Sequence, residues 1–171
     1  MFKVGDRVVY PLHGAGIIEA IEEREILGQR HRYYIMRMPV GEMRVMIPTT
    51  AARECGLRAV IPAGQVQEVL DVLRAGATPM AGNWNHRYRE NADKLKSGDI
   101  FEVAEVVRNL SSREREKGLS TGERRMLDTA RQILISELAL AAGLSEGEAT
   151  SLVDRQLDAS SADNDRGAAE A

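Results

Sequence analysis

The residues best suited to chemistry lie in one short stretch, which holds the only tryptophan of the chain. Asn83 is a favourable helix N-cap residue, because its side-chain oxygen can accept a backbone N–H of the first turn. Trp84 is therefore predicted at the first position of a helix, with His86, Arg87 and Arg89 close behind it. A flat apolar ring among cationic donors is suited to stacking on nucleic-acid bases or to binding a protein partner.

The same helix has a second, purely structural interpretation. Trp84, Tyr88, Ala92 and Leu95 recur at helical spacing, so Trp84 can also begin an apolar stripe that packs into a core. Periodicity alone favours core packing slightly over a functional ring. The two interpretations predict the same helix and differ in what the tryptophan ring contacts.

The composition limits the classes of function. The chain has 171 residues, 43% of them hydrophobic, which is enough for one domain or two small ones. No apolar run approaches the roughly 20 residues of a membrane span, and the N-terminal residues show no signal-peptide pattern, so a cytoplasmic protein is expected. The formal net charge is −3, so any contact with nucleic acid must be local rather than a result of bulk charge.

Sequence patterns typical of enzymes and metal sites are absent. The chain has no phosphate-binding glycine loop and no nucleophile elbow. Cys55 is the only cysteine, and His13, His31 and His86 are far apart, so no disulfide and no zinc site are expected. We therefore expect no enzymatic activity, no metal, no cofactor and no small-molecule substrate.

Residues 1–56 have the pattern of a small β domain. Four or five short apolar runs alternate with turn residues within about 50 residues, which favours a strongly bent sheet or barrel of SH3-like or Tudor-like size. On the last long strand, alternation places Met43, Val45 and Ile47 on one face and Arg44 and Met46 on the other. If the first face fills the core, Arg44 and Met46 point outward.

Two methionines on the preceding strand leave two interpretations open. Met36 and Met38 are two residues apart and therefore share one face of that strand. Methionine is common at adaptable binding surfaces, and it also fills irregular gaps in small cores. The sequence does not favour one role over the other.

The remainder of the chain is predicted to be helical. Residues 57–62 are a linker or a final strand, and residues 63–158 carry apolar stripes typical of a compact bundle of about five helices. The longest helix, about residues 121–142, follows a capping-box pattern at Ser120 and is expected to form the core of the bundle. The polar residues 159–171 are predicted as a disordered tail. The expected fold class is α+β, with a small barrel followed by a helical bundle.

Several stretches together resemble the CarD/CdnL family of bacterial transcription regulators, and the short chain resembles its stand-alone type. The resemblance covers roughly residues 1–158 and rests on the combination rather than on any one motif. The stretches are FKVGD at 2–6, VVYP at 8–11, HG at 13–14, MRVMIP at 43–48, NW at 83–84, RY at 87–88, VAEVVR at 103–108, GLS at 118–120, GE at 122–123, ML at 126–127, AR at 130–131 and ELA at 137–139.

The resemblance implies a mode of action. In this family a Tudor-like barrel binds the β subunit of bacterial RNA polymerase, and the helical domain reaches the upstream edge of the transcription bubble. A tryptophan at the position of Trp84 wedges into the minor groove of the promoter DNA there and stabilises the open complex. Basic residues that touch the DNA backbone map onto Arg87, Arg89 and Arg124, and His86 stands where many members carry arginine.

For the barrel, the resemblance implies polymerase contacts at Arg24, Arg44 and Met46. Some members carry arginine where this chain has Met46, and Arg44 on the same predicted strand face is a candidate substitute. The expected partners are the RNA polymerase β subunit and promoter DNA, and no membrane. The alternative is a protein-interaction adaptor that uses the barrel and the Trp84 surface without touching DNA.

Overall fold

The structure of the protein is a computed structural model that describes the backbone of residues 1–170 and the side chains of residues 1–162. Within this part of the chain, a sheet precedes a helical region, which confirms the expected α+β class. The strands are β1 (Arg7–Tyr10), β2 (Gly14–Ile26), β3 (Gln29–Met38), β4 (Met43–Pro48) and β5 (Arg58–Ala59). The helices are α1 (Val66–Arg74), α2 (Trp84–Lys96), α3 (Ile100–Glu116), α4 (Thr121–Ala142) and α5 (Glu146–Glu170).

The five strands form one antiparallel sheet in the order β4-β3-β2-β1-β5. The longest pairing is the β2–β3 hairpin, whose two turn residues, Leu27 and Gly28, both have positive φ, as the tight turns preferred by hairpins require. A register shift between Ile18 and Ala20 adds the bulge that lets a long strand bend. The sheet encloses its own small core, formed by Val8, Ile18, Tyr34, Met36, Met38, Ile47, Ala52 and Leu57.

The side-chain alternation predicted for β4 is confirmed from Arg44 to Ile47. Met43, predicted on the inner face, is instead 49% exposed, because it is the first residue of the strand and lies beside the exposed turn at residues 41–42. Ile47 is buried and Val45 is half-buried, whereas Arg44 and Met46 are exposed. Met36 and Met38 are buried in the sheet core, with 0% and 2% of their surface exposed, so these two methionines fill the core and do not line a binding surface.

Helix α4 is the centre of the helical region. It spans the predicted residues, because Ser120 caps its start by accepting a hydrogen bond from the backbone N–H of Glu123, and Gly143 ends it in the left-handed conformation. It packs against α3 and α5 on the helical side and against β2 on the other. Its buried side chains are therefore not confined to one stripe, and both parts of the molecule rest on it.

The structure decides between the two alternatives for residues 57–62 and departs from the prediction at the C-terminal helix. Residues 58–59 form β5, which pairs with β1, so the connection contains a final strand. Helix α5 was expected to end near Leu157 but continues to Glu170 through the predicted disordered tail. Packing accounts for the helix as far as Ser160, since Val153, Leu157 and Ser160 lie on one buried face and the Ser160 hydroxyl donates to the carbonyl of Ala75. The side chains of residues 163–170 and the whole of Ala171 lie outside the described residues.

The sheet and the helices are joined by a specific polar contact. Arg58 of β5 donates to both carboxylate oxygens of Glu137 on α4, over 2.7 Å and 2.6 Å, and to the carbonyl of Gly98 over 2.8 Å. Glu137 also accepts the backbone N–H of Ile61. The hydroxyl of Ser136 accepts the backbone N–H of Ala15. Helix α4 therefore holds the sheet domain at two places, β5 and the start of β2.

Candidate nucleic-acid interface

The helix that carries the tryptophan begins as the sequence predicts. The side chain of Asn83 accepts a hydrogen bond from the backbone N–H of His86, and Trp84 is the first residue of α2. The tryptophan remains 41% exposed and Tyr88 36% exposed, while Leu95, two turns further on, is buried. Only the second half of the apolar stripe therefore packs into the core. Its first half, Trp84 and Tyr88, forms an exposed patch that we call the aromatic surface.

Contacts with the start of α4 hold the exposed tryptophan in place. Its indole Nε1 donates to the hydroxyl of Ser120 over 2.9 Å. Its ring stacks on Tyr88 with a centroid separation of 5.0 Å and an interplanar angle of 18°. Gly122 lies beneath both rings, and a Cβ there would sit 3.4 Å from Cζ2 of Trp84. The ring is thus fixed on one side and open to solvent on the other.

A buried ion pair lies beneath this aromatic surface. Arg87 is only 3% exposed, and its Nε and Nη2 donate to the two carboxylate oxygens of Glu123 over 2.8 Å and 3.0 Å. Its Nη1 donates to the carbonyls of Ala81 and Gly82. This corrects the expectation that Arg87 contacts the DNA backbone, because its guanidinium has no accessible face for a phosphate. Arg87 instead fastens the start of α2 to the start of α4.

The ion pair and the tryptophan belong to one hydrogen-bonded chain. The Ser120 hydroxyl accepts from Trp84 Nε1 and from the backbone N–H of Glu123, and it donates to a carboxylate oxygen of Glu123. The hydrogen bonds from Arg87 lower the pKa of Glu123 despite its burial, and the bond to Glu123 raises the pKa of Arg87. Both groups therefore remain charged at neutral pH, and the position of the ring depends on a buried network.

Exposed cations surround the aromatic surface. Arg124, in the first turn of α4, is 58% exposed and forms a long, 3.4 Å contact with Glu114. His86 is exposed 3.8 Å from Glu90, and Arg89 is exposed with no ion pair to any side chain among residues 1–162. The geometry is compatible with phosphate contacts from these three residues, and it brings them to the same end of the bundle as Trp84.

Two family models match the two parts of the chain. The "CarD-like/TRCF RID domain" matches residues 2–61, and "CarD, C-terminal domain" matches residues 68–154. A Bacillus subtilis (strain 168) protein named "Putative transcription factor YdeB" is 44% identical over 146 residues, which is 85% of this chain and 95% of that protein. The chain belongs to the CarD family. It is therefore a CarD-like transcription regulator, and the family is not one of enzymes.

In this CarD family member, the polymerase contacts expected on the sheet do not form one cluster. Arg44 and Met46 share the outer face of β4, where Arg44 pairs with Glu19 over 3.2 Å. Arg24 pairs with Glu22 and lies opposite His31 of β3, near the tip of the β2–β3 hairpin. Arg44 lies opposite Arg37 of β3, which is about 20 Å from His31 along that strand. The three residues remain predictions, and only two of them can serve one small contact.

Sequence reasoning missed two features of this CarD site. Ser120 was recognised as a helix cap, but local spacing carries no signal that its hydroxyl also binds the indole of Trp84. Arg125 lies beside Tyr88 at the edge of the aromatic surface, and its position directly after Arg124 was the only available signal. No helix in the described part of the chain has the length and apolar content needed to cross a membrane.

Proposed function

We propose that this CarD family protein binds the β subunit of RNA polymerase through its N-terminal sheet domain and stabilises the open promoter complex. In this proposal Trp84 lies at the upstream edge of the transcription bubble and acts without strong sequence specificity. The observation that carries the proposal is the Trp84 ring, which is 41% exposed yet fixed by Ser120, Tyr88 and the buried pair beneath them. A ring held in this way loses little conformational freedom when it binds.

The physical basis is the replacement of lost base stacking. Promoter opening creates a junction at which the last base pair of the duplex loses one stacked neighbour. An aromatic side chain against a base contributes about 1–3 kcal/mol. That range corresponds to a change of about 5- to 150-fold in an equilibrium constant. Because every base has a π face, such a contact does not read sequence, which suits a general regulator.

Cations near the ring supply the contacts to phosphates in this proposal. Arg124 is close to the N-terminus of α4, where backbone N–H groups also favour an anion. Its present partner, Glu114, is partly exposed and 3.4 Å away, so exchange for a phosphate costs little. Arg89 and His86 lie on the exposed side of α2 and complete the set.

The sheet domain supplies the attachment to polymerase. The matched family model, "CarD-like/TRCF RID domain", covers this domain and supports the assignment. Strand β4 is an outer strand of the sheet, and within residues 1–170 its free edge has no strand partner. Such an edge can pair with a strand of another protein while Arg44 and Met46 beside it contact side chains. Attachment to polymerase raises the local concentration at DNA, which explains how a chain of net charge −3 acts there.

The test is the lifetime of open complexes formed by the organism's own polymerase. Wild-type protein is expected to lengthen or otherwise alter that lifetime, and folded Trp84→Ala to lose most of the effect, by about 5- to 150-fold. Trp84→Phe keeps a stacking ring but loses the bond to Ser120, so it should be intermediate. Circular dichroism checks the folding of each variant.

The same experiment separates the proposal from the adaptor alternative. An adaptor that never touches DNA gives no footprint or crosslink from the helical domain at the upstream bubble edge. If Trp84→Ala acts like the wild type, the ring has no role at the DNA. If the wild type does not bind polymerase, the attachment through the sheet domain is wrong.

A further inference from the structure

A groove continues from the aromatic surface along the side of α4. It has a volume of about 340 Å³ and lies between α2, α4 and the turn that joins β1 to β2. Tyr88 belongs to both places, since its ring stacks on Trp84 and the residue also lines the groove. The groove is therefore adjacent to the proposed wedge. It shares Tyr88 and Gly122 with the aromatic surface, and its remaining lining residues lie elsewhere on α2, α4 and the β1–β2 turn.

The sheet domain contributes one residue to the groove, Leu12, whose backbone conformation is unfavourable. Leu12 has φ +70°, a region that side chains other than glycine rarely adopt, and its side chain is 43% exposed. The turn is fixed around it. His13 donates its backbone N–H to Tyr10 and stacks on its ring, and a Cβ on Gly98 would lie 2.9 Å from the ring of Pro11. The turn therefore holds the side chain of Leu12 at the mouth of the groove rather than in the sheet core.

The residues that line the groove limit the class of ligand that it can bind. Ala92 and Met126 add apolar surface and Tyr88 adds an aromatic side chain, while Lys96 and Arg125 are the charged residues that line the groove. No carboxylate is among the residues that line this groove. Apolar and aromatic walls with a cationic rim suit a flat base whose backbone carries a phosphate. A purely apolar partner would leave the two cations without a role.

We infer that this groove binds an unpaired nucleobase of the DNA strand that leaves the duplex next to Trp84. The base lies against Leu12 and the edge of Tyr88, and the adjoining phosphates lie at Arg125 and Lys96. The inference rests on the proposed function, because Trp84 at the duplex end is what brings an unpaired strand to this side of α4. It adds a second contact, which responds to the melted strand rather than to the duplex.

The experiment uses the full chain at low salt and two DNA probes. One is a blunt duplex, and the other is the same duplex with a single-stranded overhang whose first unpaired base is 2-aminopurine. Wild-type protein should bind the overhang DNA more tightly than the blunt DNA and change the 2-aminopurine fluorescence. Arg125→Gln removes a rim charge, and Thr129→Phe fills the groove from an exposed position. Each should reduce the preference for the overhang about 5-fold or more.

Matched variants separate the possible outcomes. Arg155→Gln removes an exposed cation on α5, outside the groove, and should bind both probes like the wild type. Trp84→Ala should weaken binding to both probes; if it changes neither, the proposed wedge fails. If Trp84→Ala acts as expected but Arg125→Gln and Thr129→Phe retain the wild-type preference, only the groove inference is overturned. A parallel binding assay with polymerase tests the other occupant. If the groove variants lose binding to polymerase but keep the wild-type preference for the overhang, the groove holds a polymerase segment and the inference is overturned.

Discussion

Helix α4 carries two buried glutamates that make the same kind of contact with different parts of the molecule. Glu123 is 2% exposed and holds Arg87 of α2, and Glu137 is 1% exposed and holds Arg58 of β5. Each carboxylate accepts two hydrogen bonds from one guanidinium, the geometry that is strongest for such pairs. The difference is in the arginines, because Arg87 is 3% exposed whereas the Arg58 side chain keeps 30% of its surface in solvent.

This difference separates two mechanical roles. The Arg87–Glu123 pair, called the sealed pair below because both side chains are buried, fixes the position of the Trp84 ring through Ser120. The Arg58–Glu137 pair, called the junction pair below, lies between the sheet domain and the helices and fixes how the sheet domain packs on α4. The two glutamates are about 21 Å apart along the helix. One helix therefore sets the spacing between the sheet domain and the aromatic surface. Under the proposed function, this is the distance between the polymerase attachment and the DNA contact.

The largest expected effect comes from breaking the sealed pair. Arg87→Ala leaves the Glu123 carboxylate buried without its charge partner, so the free energy of unfolding should fall by about 3–5 kcal/mol. Chemical denaturation measures this value. Arg89→Ala, two residues away and exposed, is the matched control and should stay within about 0.5 kcal/mol of the wild type. Equal stability of the two variants would contradict the structural role of Arg87.

How much of the fold and of the candidate site could be predicted from the sequence depends on how far apart in the chain the interacting residues are. The start of α2, the span of α4 and the outward face of β4 followed from caps and alternation, which act within a few residues. The continuation of α5 was missed because small polar residues can follow a buried face without a strong apolar signal.

The two ion pairs were outside the reach of local patterns. Arg87 and Glu123 are 36 positions apart, and Arg58 and Glu137 are 79 positions apart. In the sequence, Arg87 looked like the other cations around Trp84. Only the packing of α2 on α4 shows that one of these cations is buried and the others remain exposed.

Opening the junction pair should have a smaller effect on stability and a separate effect on function. Arg58→Ala removes two hydrogen bonds to a buried carboxylate at a partly exposed site, so we expect a loss of about 1.5–3 kcal/mol. If the spacing argument holds, this variant also weakens the effect on open-complex lifetime, although Arg58 is far from the proposed DNA contacts. Arg53→Ala, an exposed change in the same domain, is the control. A lifetime effect equal to that of the wild type would show that the junction does not set the working geometry.

The smallest expected effect is a pH dependence that belongs to the sealed pair alone. The pKa of Glu123 is lowered in the folded protein, chiefly by its hydrogen bonds from Arg87. Its contribution to stability is therefore fully present above the unfolded pKa of about 4.3 and is lost as the pH falls below that value through the lower folded pKa. Glu123→Gln lacks this contribution at every pH. The difference in unfolding free energy between wild type and Glu123→Gln, measured in urea from pH 7 to pH 3, should thus shrink as the solution becomes more acidic. A constant difference would mean that the pair stabilises α2 through shape and neutral hydrogen bonds rather than through charge.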